Sequence, residues 1–98
     1  MLKVHPGEVL REEFLIPLGI SPHALSIALG VPATRISEIV HERRGITADT
    51  AARLSRYFGT SAQMWLNLQN CYDLALVHEK LGEDLERIRP SAMTPALA

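Results

Sequence analysis

The chain has a single cysteine, few aromatic residues (5%) and no long apolar run. Each shortage excludes something. Cys71 has no internal disulfide partner, which fits a reducing compartment, and a cytoplasmic protein is expected. Apolar content is 47%, so the core must be built from Leu, Ile, Val and Ala, a composition suited to packed helices. No stretch is long enough to span a bilayer, so no membrane partner is expected. The N-terminus lacks a charged start followed by an apolar middle and a small-residue cleavage site, and no secretory signal is expected. There is no phosphate-cradling Gly-rich loop and no nucleophile-elbow serine. His5, His23, His41 and His78 are scattered, without a pair at ligand spacing on one helix, so neither a metal site nor a cofactor is expected. Cys71 sits inside an apolar helical stripe and is expected to pack in a core or an interface rather than act as a nucleophile. The chain is not expected to be an enzyme.

Charge is also nearly balanced, at −1 overall over 98 residues. That argues against indiscriminate binding to nucleic acid. The distribution says more. Between residues 31 and 60, Arg35, Arg43, Arg44, Arg53 and Arg56 face Glu38, Glu42 and Asp49, a local charge of +2. Between 61 and 98, Lys80, Arg87 and Arg89 face Asp73, Glu79, Glu83, Asp84 and Glu86, a local −2. The positive segment is where phosphate contacts could form, and the acidic end could face a basic partner.

The length predicts one domain, over residues 1–89, with 90–98 as a disordered tail holding two prolines and little to bury. Residues 1–4 read as extended or loose. Pro6 suits a first helical position and Glu8 a helix N-terminus. Leu10, Phe14 and Leu18 then recur every four residues with Val9 and Leu15 beside them; Arg11, Glu12 and Glu13 form the wet face. Pro17 and Gly19 are expected to end this helix. Ser21 caps a second helix with Pro22 first, and Gly30 ends it. A third starts at Pro32 or Ala33 and runs to about His41. Residues 42–45 form a loop. Thr47 caps a fourth helix with Asp49 in its first turn, ended by Gly59. Ser61 caps a fifth, longer helix that Gly82 breaks or kinks, with 83–89 adding a short turn. No repeat, low-complexity tract or convincing strand is present.

Ser21 to Arg44 carries the functional pattern. Leu25, Leu29, Val31, Ile36 and Ile39 are what two short crossing helices need to share a small core. Ala33, Thr34, Arg35, Ser37 and Glu38 face outward and are small, polar or charged. This is a helix-turn-helix whose second helix would enter the DNA major groove. Thr34 can contact a base edge or a thymine methyl, Arg35 can pair with guanine, Glu38 can accept from cytosine, Ala33 can touch a thymine methyl, and Ser37 can reach a base or a phosphate. His41, Arg43 and Arg44 lie where phosphates would be held, and Ser21, at the start of the first motif helix, completes that set. The pattern also occurs in helical bundles without a DNA role.

The fifth helix is apolar on more than one side: Met64, Trp65, Leu66, Leu68, Tyr72, Leu74, Ala75, Leu76, Val77 and Leu81. One small domain can cover only one side, so the excess implies a partner surface. Trp65, Leu68, Tyr72 and Leu76 are the candidate dimer interface. One motif reads only a few base pairs, and two copies about one DNA turn apart, ~34 Å, give useful specificity.

Three stretches, His5–Phe14 (HPGEVLREEF), Arg43–Ala51 (RRGITADTA) and Trp65–Gln69 (WLNLQ), together resemble HigA-type addiction-module antitoxins, a branch of the XRE/Cro-like helix-turn-helix proteins. The resemblance covers residues 4 to 81 and implies an all-α, five-helix, lambda-repressor-like DNA-binding domain acting as a homodimer. It implies a palindromic double-stranded operator in the protein's own promoter, and a HigB-like toxin partner, a RelE-like ribonuclease that cleaves mRNA at the ribosome. It places base readers at Pro32, Ala33, Thr34 and Glu38 and phosphate contacts at His41, Arg43 and Arg44. Relatives often carry Gln where Pro22 stands, Ala where Ser26 stands and a small apolar residue where Cys71 stands; with Pro22, more of the backbone grip falls on His41, Arg43 and Arg44. Two alternatives accompany this reading: a stand-alone XRE-like regulator, and a toxin-holding interaction module whose DNA binding is weak.

Overall fold

The computed structural model describes residues 3–92. Over these it is five helices and their connections, with no strand. Helix α1 begins as Pro6–Val9, passes through a π-helical stretch at Leu10–Leu15 and ends as Ile16–Leu18. The backbone stays right-handed helical across both junctions. His5 is extended, and its Nδ1 accepts the Gly7 N–H at 2.9 Å, so the side chain caps the helix and Pro6 takes the first position.

Pro17 does not stop α1, contrary to expectation. A proline inside a helix lacks its N–H and crowds the carbonyl four residues back. The turn just before Pro17 is the wide one, with the Ile16 N–H bonded to Arg11 O, and that wider register accommodates the ring. Gly19, in the left-handed conformation at φ 66°, ends the helix as expected. The wide turn also shifts the buried face. Leu15 is buried, whereas Leu18, expected in the stripe, is 59% exposed.

Helix α2 (Pro22–Leu29) is capped by Ser21, whose Oγ accepts from the Ala24 N–H at 3.0 Å, and ends at Gly30. Helix α3 (Ala33–Val40) follows one turn later; Pro32 stands at its N-cap and supplies no side-chain hydrogen bond. Thr47 caps α4 (Ala48–Phe58), which ends at Gly59. Ser61 caps α5 (Ala62–Glu86). Gly82 neither breaks nor ends α5, and the short turn expected after it is the last part of the same helix. Glycine costs about 1 kcal/mol against alanine in a helix interior, too little to stop 25 residues of established helix. No helix among the described residues is long and apolar enough to cross a membrane.

The core is one cluster. Leu10 and Leu15 from α1, Leu25 and Leu29 from α2, Ile36, Ile39 and Val40 from α3, Ile46, Ala51 and Leu54, and Trp65 from α5 meet in it. Phe14 lies between Phe58 and Trp65, with ring centroids 4.9 and 5.2 Å away. The start, expected to be extended or loose, carries no helix at residues 3–5 and is tied at Lys3, whose Nζ is 2.8 Å from Glu79 Oε2 on α5. Of the expected tail, residues 93–98 lie outside the described residues, and 90–92 carry no helix.

Candidate nucleic-acid interface

The second motif helix, α3, presents the candidate readers. Pro32, Ala33 and Thr34 are exposed at its N-terminal end, and Ser37 and Glu38 are half-exposed one turn on. Ile36, Ile39 and Val40 bury the opposite face, which fixes the direction of the others. No side chain caps α3; the Arg35 N–H returns to Pro32 O at 3.0 Å, and the Ala33 and Thr34 N–H groups keep unused donor capacity at the positive end of the helix, an arrangement suited to an anion.

Arg35 is placed differently from its neighbours. Its Nη1 donates to Asp49 Oδ1 at 2.9 Å. The same oxygen accepts from Arg53 Nε at 2.8 Å, and Arg53 Nη1 reaches Leu29 O at 2.7 Å. Asp49 thus ties the start of α3, the end of α2 and the first turn of α4. Hydrogen bonds from Arg53 and then from Arg35 hold its carboxyl below the usual carboxylate range.

Glu38 is also engaged: its Oε1, otherwise shut off from solvent, lies 2.7 Å from Arg44 Nη2 in an ionic contact. Arg43 is exposed and has no ion-pair partner among the described residues. The His41 ring closes on its own helix, Nδ1 lying 2.7 Å from Ser37 O. Because that carbonyl can only accept, Nδ1 carries the proton. Nε2 is then a donor to phosphate only in the doubly protonated ring. Ser21 uses its oxygen as a cap and keeps its hydroxyl proton for another partner.

The C-terminal end of α3 is held from two sides. Glu42 sits in the left-handed region at φ 62°, the Glu42 N–H returns to Ile39 O at 2.9 Å, and the Arg43 N–H returns to Glu38 O at 2.8 Å. That closes the helix in the paired manner glycine usually permits. From α1, the Arg11 guanidinium donates to Val40 O and lies 3.5 Å from Glu42 Oε2. A cation at a helix C-terminus is favoured by the dipole. Arg11, expected on the wet face, is therefore docked on the reading helix. Beside it, Gly7 lies so close to α3 that a Cβ there would be 1.8 Å from Ile39 O.

From α5, Gln69 Oε1 accepts the Ile46 N–H at 2.7 Å while its Nε2 donates to Asp73 Oδ1 at 2.9 Å. Gly45 leaves room for it: a Cβ would meet Gln69 Oε1 at 2.8 Å. His5 is buried edge-on against Tyr72, with centroids 4.8 Å apart. Burial pushes its pKa below the ordinary histidine value, while Glu42 and then Asp73 pull it up. Asp49, Arg53, Arg11, Gly7, His5 and Gln69 all escape motif reading as site-building residues. Their only signal in the sequence is that most fall within the three stretches shared with the antitoxin family.

The candidate dimer interface needs a correction. Trp65 is fully buried within its own domain, packed on Phe14, with Nε1 donating to Thr60 Oγ1 at 2.8 Å. No part of it is left for a partner. Leu68, Tyr72 and Leu76 are half-buried. Beyond them Leu74, Val77, Leu81 and Leu85 are exposed along the same helix. Cys71 is exposed as well, which removes it from the core.

Comparison with known proteins agrees with this geometry. The Helix-turn-helix family profile matches residues 10–65. Virulence-associated protein I of Dichelobacter nodosus is 61% identical over 79 residues, covering 81% of this chain and 73% of that protein. Antitoxin HigA-1 of Vibrio cholerae is 33% identical over 87 residues, covering 89% and 82%. The solved structure of Pseudomonas aeruginosa antitoxin HigA with the higBA promoter superposes with a TM-score of 0.88 at 51% identity, covering 91% of this chain and 98% of that one. With five helices in the same arrangement and identity at this level across nearly the whole chain, the protein belongs to the HigA-type antitoxins of the XRE-like helix-turn-helix family.

Proposed function

We propose that this chain is the antitoxin and autorepressor of a type II toxin–antitoxin module. As a cytoplasmic homodimer it reads a palindromic operator in its own promoter, and it binds and neutralises a HigB-like, mRNA-cleaving toxin. It acts by binding and performs no chemistry of its own. Pro32, Ala33, Thr34, Ser37 and Glu38 are its base-facing residues, and Ser21, His41, Arg43 and Arg44 its phosphate-facing ones. The face of α5 carrying Leu68, Tyr72 and Leu76 joins the two copies.

The observation that carries this reading is the uncapped, exposed first turn of α3, set in a fold shared with an antitoxin solved on promoter DNA. Footprinting the DNA upstream of its gene, with the mass of the complex measured by light scattering, tests it. A protected near-palindrome occupied by two chains is expected. Equal affinity for that DNA and a scrambled duplex overturns the repressor role.

One observation favours the toxin-holding module with weak DNA binding: both Arg35 and Arg44 are already paired with carboxylates. Co-expression with the neighbouring small basic gene product separates the roles. Rescue from toxin arrest by a variant that cannot bind DNA assigns neutralisation to a surface other than α3. The lack of any such neighbour leaves the stand-alone regulator.

A further inference from the structure

We propose that Asp49 is a specificity-determining residue of the DNA-reading surface: its carboxylate holds Arg35 against the protein and keeps that guanidinium off the DNA backbone. The proposal rests on the DNA-binding reading above. Arg35 is on the first turn of α3, beside Ala33 and Thr34, where the entering end of a reading helix meets the groove. A free arginine there has a reach the short readers lack, and any phosphate would attract it regardless of sequence.

The pairing geometry prevents that. Asp49 Oδ1 accepts from Arg35 Nη1 at 2.9 Å and from Arg53 Nε at 2.8 Å. The second bond makes the difference, because an exposed ion pair alone is weak. Arg53 is one turn along α4 from Asp49, and its Nη1 is anchored on Leu29 O at 2.7 Å. The carboxylate is therefore fixed in place before Arg35 reaches it. Among the described residues Arg35 has no other side-chain partner, so it is the one member of the trio that the loss of Asp49 releases outright. Arg53 would keep its carbonyl contact, Thr47 would still cap α4, and the junction of α2 with α4 would stay closed.

The consequence is electrostatic. Sequence-independent affinity grows with the number of phosphates neutralised, and discrimination is the gap between operator and non-operator binding. Holding Arg35 removes one phosphate contact from the indiscriminate term and leaves reading to Ala33, Thr34 and Ser37.

The test uses the full chain, an operator duplex and a scrambled duplex of equal length, titrated across a salt series. For Asp49→Asn, affinity for scrambled DNA is expected to rise by about three- to tenfold, and the plot of log affinity against log salt to steepen by about 0.9 for each reading helix engaged. The operator-to-scrambled ratio falls. Arg35→Gln alone leaves the scrambled-DNA slope at the wild-type value, and the Asp49→Asn, Arg35→Gln double variant returns to it. Equal weakening on both duplexes with an unchanged slope for Asp49→Asn assigns Asp49 a purely structural role and overturns the proposal. Flattening of the slope by Arg35→Gln alone places Arg35 on phosphate already and also overturns it; this arm decides the matter even if Asp49→Asn does not fold. Wild-type protein that fails to separate the two duplexes brings down the DNA-reading function itself, and this inference with it.

Discussion

The two ends of α3 are built in opposite ways. At the C-terminal end the backbone closes on itself through Glu42 and Arg43, Arg11 donates to Val40 O, and Gly7 lets α1 lie directly on Ile39 O. At the N-terminal end Pro32 offers no cap, and Ala33 and Thr34 stand exposed. The last carbonyls of a helix are satisfied here by the protein, whereas its first donors are left for something else. A helix that must present its start to a ligand in a fixed orientation is best clamped at the far end, where the clamp cannot obstruct the ligand. The closed end belongs to stability and the open end to recognition, and substitutions should divide the same way.

Gly7→Ala should break the closed end most severely. The added Cβ would be 1.8 Å from a backbone oxygen, which no rotamer change relieves, so α1 must move off α3. A loss of roughly 3 kcal/mol or more is expected from such overpacking, read as a lower midpoint in urea denaturation. An unchanged midpoint means the two helices do not touch as described. Next comes Arg11→Met, which keeps the apolar stem but removes the donor to Val40 O and the partner of Glu42. About 1–2 kcal/mol should be lost. Operator affinity should fall too, because the reading helix loses its anchor. Lost stability with wild-type operator affinity breaks the link between the clamp and recognition.

Much of the frame of this comparison is legible in the sequence, and the clamp is not. Caps and stops depend on neighbours in the chain, so Ser21, Thr47 and Ser61 and the glycines at 30 and 59 all stand where local chemistry puts them. The wide turn in α1 is not local. It combines the needs of Pro17 with the burial of Leu15, and a pattern based on an even helical period places Leu18 inside instead. Arg11 meets Val40 across 29 positions, and nothing in its neighbourhood distinguishes it from Glu12 or Glu13. Trp65 shows the same limit from the other side. On a helix apolar on more than one side, periodicity cannot say which apolar face the domain itself covers. Phe14, supplied by a distant part of the chain, decides it. In the candidate site the reading residues are legible because exposure follows from the burial of Ile36 and Ile39. The pairing of Arg35 with Asp49 is not, because it depends on where α4 starts in space.

A smaller effect concerns His5, which caps α1 beside the clamp. Its Nδ1 accepts the Gly7 N–H, so the cap works only while that nitrogen is unprotonated. The folded-state pKa lies below the ordinary histidine value, with burial as the largest cause. The unfolded chain therefore takes up a proton at a higher pH than the folded one. The stability His5 contributes is complete above about pH 6.5 and declines as pH falls from there through the folded-state value. Denaturation at pH 7.5 and 5.5 should show a larger loss for wild type than for His5→Asn, which can still cap without titrating. Identical losses remove His5 from the acid sensitivity.

The smallest effect on stability, and the one that most sharpens the contrast between the two ends, is expected from Arg43→Ala combined with Arg44→Ala. Both side chains lie past the closed end but outside the clamp. Arg43 has no ion-pair partner among the described residues, and Arg44 meets only the half-exposed Glu38. Exposed pairs contribute about 0–1 kcal/mol, so the denaturation midpoint should hardly move. On DNA the same double variant should weaken operator and scrambled duplexes alike and flatten the salt dependence by about 0.9 for each phosphate no longer neutralised. Thr34→Ala supplies the reference for the open end: it should weaken the operator complex and leave both the scrambled complex and the salt slope unaltered. If removing the two arginines lowers the midpoint as far as Arg11→Met does, the clamp extends beyond Glu42 and the boundary between holding and reading must be redrawn. If instead the midpoint stands and only the slope changes, the turn at Glu42 is where the helix passes from its structural anchor to its grip on the backbone.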